Sequence, residues 1–136
     1  METMQVRYER GDRLSIAIRG HEVVVDQPLD DGGADTGPTP TELWVAGLAS
    51  CVLFYAERFF RRHDVAPDDL GVIVRWAMAE ERPARVATID VRVELPVGFP
   101  EELRPRLQAV IERCTVHNSM TRPPAVRIAT HVPAVA

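Results

Sequence analysis

Apolar and polar positions alternate from the start of the chain. Leu14, Ile16 and Ile18 are interleaved with Ser15, Ala17 and Arg19, the period-two pattern of a strand with one buried face. Gln5 to Arg10 reads as a strand before it, turned back by Gly11-Asp12. Gly20-His21 then turns the chain into Glu22 to Asp26, where Val23, Val24 and Val25 favour extended backbone. These segments predict a three-stranded meander. Val72, Val74, Trp76 and Met78, followed by Ala87, Ile89, Val91, Val93 and Leu95, predict a second antiparallel pair with its turn in Glu80 to Ala84.

Between the two sheets the period changes. Thr39 is a helix cap, Pro40 suits the first helical position, and Glu42 stands where a capping box needs a carboxylate. Leu43, Gly47, Ser50, Cys51 and Phe54 follow at helical spacing on one face, and Val45, Leu48, Val52 and Tyr55 make the opposite side apolar too. A helix apolar on so many sides must be covered on several of them. In a chain this small it is wrapped by sheet or shared with a second subunit. Ala46-Gly47 and Ala49-Ser50 leave room for another backbone. The helix turns polar at Glu57, Arg58, Arg61 and Arg62, and Pro67 prevents its continuation.

A second amphipathic helix is predicted from Glu101 to Cys114, with Leu103, Leu107, Val110, Ile111 and Cys114 on one stripe and Pro105 in its first turn. Ala125 to Val132 reads as a final strand. The predicted order is βββ-α-ββ-α-β, an α+β fold, in a single domain spanning residues 1–136 without internal repeats.

Asp26 to Pro40 is a long Asp-, Gly- and Pro-rich loop. Its aspartates lack the spacing and the closing glutamate of a calcium loop, so it reads as a solvated connector. The chain has 136 residues and a net charge of -4, and its 16 basic residues form no basic stripe, so nucleic acid is not an expected partner. No apolar run approaches the roughly 20 residues of a membrane span, and residues 1–10 do not resemble a signal peptide. The expected compartment is the cytoplasm, where paired cysteines are more often catalytic or redox-sensing than structural.

That compartment draws attention to the two cysteines. Cys51 lies about three turns inside its helix, beyond the reach of the positive helix N-terminus, so a reactive thiolate there requires a cation from elsewhere in the fold. Cys51 and Cys114 are each open to two readings, a packed core thiol or a reactive one. Glu42 is explained by the capping box, which does not exclude a part in chemistry. His117 forms Cys-x-x-His with Cys114, but no second ligand pair accompanies it, so neither a metal nor a cofactor is expected.

Gly37-Pro38-Thr39-Pro40-Thr41-Glu42-Leu43, the Ala/Gly/Ser-rich run into Cys51, and Glu112-Arg113-Cys114-Thr115-Val116-His117 together resemble the OsmC/Ohr family, the osmotically inducible and organic hydroperoxide resistance proteins. The resemblance covers nearly the whole chain. It implies an intertwined homodimer with the cysteine-bearing helices buried at the interface. It also implies thiol-dependent reduction of organic hydroperoxides, with Cys51 as the peroxidatic thiolate, Cys114 as the resolving thiol and an external dithiol as reductant. Glu42 and the activating arginine complete the implied site. Arg10 and Arg13, flanking the first turn, are the nearest matches for that arginine, followed by Arg19. In the hydroperoxide-resistance branch the glutamate directly follows the proline, where this chain has Thr41, and Thr115 stands where the family often has proline. These departures keep a second reading open, in which the same dimer binds a small apolar ligand through unreactive cysteines.

Overall fold

The hairpins form where alternation and turn chemistry agree. In the computed structural model, which describes residues 1–135, β1 (Gln5–Arg10), β2 (Arg13–Ile18) and β3 (His21–Val25) form an antiparallel sheet in that order. Leu14 lies opposite Val25, and Ile16 opposite Val23. At the β2–β3 turn Arg19 and Gly20 both have positive φ, 48° and 83°, which gives a tight connection the right-handed twist it needs. β4 (Gly71–Met78) and β5 (Val86–Glu94) form the second sheet, with Val72 opposite Val93 and Val74 opposite Val91.

In the chain, α1 (Pro40–Arg62) comes between the two sheets. Its capping box is complete: the Glu42 amide donates to Thr39 Oγ1 at 3.2 Å, and the Thr39 amide donates to Glu42 Oε2 at 2.9 Å. The connector before it is folded, not loose. Asp26 is 1% exposed and accepts from the Thr36 hydroxyl at 2.6 Å, the Thr36 amide at 3.1 Å and the Gln27 amide at 2.8 Å. Gly37 passes so close to β3 that a Cβ there would lie 2.4 Å from the Val24 carbonyl oxygen, which accounts for the glycine before Pro38.

α1 buries Val45, Leu48, Val52, Ala56, Phe59 and Phe60. Toward its C-terminal end, Ala56, Phe59 and Phe60 meet Leu107, Leu95 and Phe99, with the Phe60 and Phe99 rings stacked at 5.2 Å. Toward its N-terminal half, Leu48 and Val52 meet Cys114, Val91, Val93 and Ile111. The Leu43, Trp44, Gly47, Ser50 and Phe54 side is at least partly open to solvent in the protomer. By length and composition α1 is apolar enough to cross a bilayer, unlike the expectation of no such run. It packs instead on β4, β5 and the helices that follow, as the core helix of a folded domain does.

The predicted helix from Glu101 to Cys114 is two elements that stop short of Cys114, and a third begins after it. A 3₁₀ turn (Glu101–Leu103) leads into α2 (Arg104–Ile111), and α3 (Thr115–Thr121) begins after a break. Pro105 is in the first turn of α2, as expected. Cys114 does not close a helix but caps one: its backbone is extended (φ −62°, ψ 147°), and Sγ accepts from the His117 amide at 3.3 Å. Apolar spacing runs unbroken through this point, and cysteine is not among the usual caps, so the break left no sequence signal.

Ala125 to Val132 forms no strand within the protomer. Val126, Ile128 and Val132 are at least 74% exposed, and the segment joins neither sheet. Alternation favours extended backbone, but a strand also needs a neighbour to accept its hydrogen bonds.

Candidate functional site

The break between α2 and α3 positions the chemistry. Because Cys114 caps α3 from its own N-cap position, its side chain turns inward against Leu48 and Val52 of α1 and is fully buried. Cys51 follows Ser50, whose hydroxyl donates to the carbonyls of Ala46 at 2.8 Å and Gly47 at 3.2 Å. Cys51 packs at the margin of the same cluster and is half-exposed. Both thiols are free and lie side by side.

Their environments differ. Burial pushes the Cys114 thiol above its ordinary value, and the adjacent Cys51 raises it further, against the pull of the His117 amide. Cys114 is therefore held protonated and out of reach of solvent. Cys51 is the sulfur a solute meets first.

Tyr55, one turn beyond Cys51, ties the two helices together. Its hydroxyl is 3.0 Å from Oγ1 of Thr115, the residue after Cys114. Sequence reasoning counted Tyr55 only as apolar. Its place four residues after a candidate nucleophile, one helical turn along, was the available signal. A proline at position 115 would offer no side-chain partner for this bond.

The other candidates lie elsewhere in the protomer. Glu42 precedes Cys51 along α1 by about 13 Å, at the helical rise of about 1.5 Å per residue, and its carboxylate is engaged in the cap. Arg10 and Arg13 face each other across the β1–β2 pairing, and Arg13 is ion-paired with Glu9. Arg19 is at the β2–β3 turn. The meander carrying all three makes no substantial packing contact with α1, α2 or α3. Among the described residues no guanidinium hydrogen-bonds to either sulfur. The thiols are thus brought together within one copy, and the charged candidates are not.

Beside the thiols lies a cavity of about 470 Å³ between α1, β5 and α2. Leu48, Val52, Val91 and Ile111 form its apolar wall, and Arg92, Arg104, Glu112 and His117 its polar rim. The two arginines are ion-paired with Glu94 and Glu101.

Solved structures of the same shape are known. A protein of Psychrobacter arcticus, described as an osmotic stress induced and detoxification response protein, superposes with a TM-score of 0.79 at 24% identity, covering 88% of each chain. An OsmC-like protein from Mycoplasma pneumoniae gives 0.75 at 17% identity, over 89% of this chain and 87% of that one. An organic hydroperoxide resistance protein from Legionella pneumophila gives 0.62 at 14%, again over 88% of each. No curated protein matches the sequence. The family model for OsmC-like proteins matches residues 32–129, from the connector through α1, both strands of the second sheet and both thiols. With that match over most of its length, and the fold to go with it, the chain belongs to the OsmC-like protein family.

Proposed function

We infer that this chain is a single OsmC-like domain that works as a homodimer, reducing organic hydroperoxides with its two thiols in cytoplasmic defence against oxidative stress. The observation that carries the reading is the pairing of a solvent-reachable Cys51 with a sealed, protonated Cys114. Cys51, as its thiolate, attacks the distal peroxide oxygen. The O–O bond breaks, the alcohol departs with a proton, and Cys51 becomes a sulfenic acid. The Cys114 thiol then attacks that sulfur, forming the disulfide and releasing water. An external dithiol restores both thiols and is itself oxidised to a disulfide.

The dimer follows from what one copy leaves uncovered. Trp44 and Phe54 on α1, Ile73, Trp76 and Met78 on β4, Val6 and Tyr8 on β1, and the unpaired Val126 and Ile128 are all exposed. So much apolar surface is more than a protomer of this size keeps open without a use for it. A second copy that covers the Gly47 side of α1 with its meander brings Arg10 and Arg13 toward Cys51. Such a guanidinium supplies the cation that a thiolate three turns inside a helix requires. In this reading Glu42, exposed at the head of α1, leaves its cap to steady that guanidinium.

Consumption of an alkyl hydroperoxide in the presence of a dithiol tests this reading. The native protein turns over, and Cys51→Ser falls by about three orders of magnitude or more, to the uncatalysed background. Unchanged turnover in Cys51→Ser would end the proposal. The apolar wall of the cavity beside the thiols favours one alternative, a dimer that binds a small apolar ligand through unreactive thiols. In that case the native protein leaves peroxide unconsumed and both thiols remain titratable afterwards.

A further inference from the structure

Two turns beyond Cys51, a second recess of about 300 Å³ opens between α1 and α2. Its ionisable side chains besides Tyr55 are all basic. Arg58, Arg62 and His63 come from α1 and Arg106 from α2, around a floor of Tyr55, Phe59 and Val110, with no carboxylate in the lining. This is notable in a chain of net charge -4.

The neighbouring arginines show the contrast. Arg61, one residue from Arg62, is paired with Glu57 at 2.7 Å and faces away from the recess. Arg92 and Arg104, on the larger cavity, are each paired with a glutamate. None of the three recess arginines is in an ion pair among the described residues. Arg58 is instead held over the Phe54 ring at 5.5 Å. The His63 ring is fixed too, stacked on Phe59 at 3.9 Å, with Nδ1–H donating to the Phe59 carbonyl at 2.9 Å. The carbonyl can only accept, so Nδ1 carries the proton.

We propose that this recess binds a small molecule bearing a phosphate or carboxylate group, with the anion between Arg58, Arg62 and Arg106 and its apolar part on Tyr55, Phe59 and Val110. Planar guanidinium forks from two helices suit a tetrahedral or planar oxyanion, and three full charges outweigh the partial negative charge at the end of α1. The proposal rests on the α1–α2 packing and not on the thiol chemistry. Its test reads binding rather than turnover, so either reading can fail without the other.

Calorimetric titration of the full chain at low salt tests it, with inorganic phosphate and with octanoate as probes. The expected result is saturable binding of at least one probe, weakened by added salt. Arg58→Gln, Arg62→Gln and Arg106→Gln each weaken it by about tenfold or more, while Arg61→Gln, outside the recess, leaves it unchanged. Phosphate alone identifies a phosphorylated ligand, and octanoate alone a carboxylate with an apolar tail. The exposed positions leave folding intact, which far-ultraviolet circular dichroism checks. Absence of binding by both probes up to about 10 mM overturns the proposal. So does binding that survives the triple Arg58, Arg62 and Arg106 variant, or an equal loss in Arg61→Gln.

Discussion

Cys114 is fully buried beside the partly exposed Cys51, although Cys51 lies within α1 and Cys114 at the N-cap of α3. The interruption of the helix at Cys114 makes this possible. A residue that caps α3 turns its side chain toward α1, where a residue continuing α2 would have followed that helix's own stripe.

This arrangement sets the fate of the oxidised protein. Cys114→Ser keeps the first step and loses the second, so one equivalent of peroxide is consumed rapidly and steady turnover with the dithiol falls about tenfold or more. Excess peroxide then carries Cys51 to the sulfinic and sulfonic acids. Intact-mass spectrometry shows the second and third added oxygens in Cys114→Ser and only the disulfide in the native chain. A variant that stays at a single oxygen contradicts the resolving role.

Alkylation should follow burial. Iodoacetamide modifies Cys51 first, and Cys114 is labelled about a hundredfold more slowly or only as the fold opens. Because burial and Cys51 both raise the Cys114 thiol, its labelling requires more alkaline solution than an ordinary cysteine. In Cys51→Ala the neighbour's contribution disappears, and the pH dependence of Cys114 labelling moves toward neutrality. Peptide mapping after timed quenching reads both effects.

Asp26 makes the connector pH-sensitive. The Thr36 hydroxyl is the largest influence on a carboxyl lowered from 3.8 to about 2, with the Thr36 and Gln27 amides adding to it and burial opposing. The unfolded chain thus takes up this proton at a higher pH than the folded one. The associated stability is fully present above pH 3.8 and is lost as pH falls toward about 2. Asp26→Asn and Thr36→Val lower stability at neutral pH and flatten the acid limb in that window. Urea melts at a series of pH values show it, and an unchanged limb would remove Asp26 from the account.

Gly47 reports on the second copy. Within one protomer a Cβ at this helix-interior glycine meets nothing within 4 Å, so Gly47→Ala should stabilise an isolated chain by about 0.5–1 kcal/mol. If a partner backbone approaches there, Gly47→Leu instead separates the subunits. Analytical ultracentrifugation is expected to give a dimer for the native chain and a monomer for Gly47→Leu. A native monomer defeats the dimer reading outright.

Much of this molecule is local. Alternation in Leu14 to Ile18 and Val72 to Met78, the glycine turns, and the Thr39-Pro40-Glu42 cap act between near neighbours in the chain, so their elements follow from the residues alone. The thiol pair was legible as two motifs, because each cysteine has its own recognisable surroundings. Their mutual contact, the Tyr55–Thr115 bond and the cationic recess join distant segments, and no spacing rule reaches that far. The same limit explains both corrections. Cys114 left its predicted helix because a long-range apolar contact with Leu48 and Val52 outweighs continuing a stripe. Ala125 to Val132 has the alternation of a strand, but no local pattern can supply the neighbouring strand it would need. Short-range patterning decided the two hairpins and the start of α1, and only packing between distant segments decided which sulfur is reachable, because burial is a property of the assembled fold.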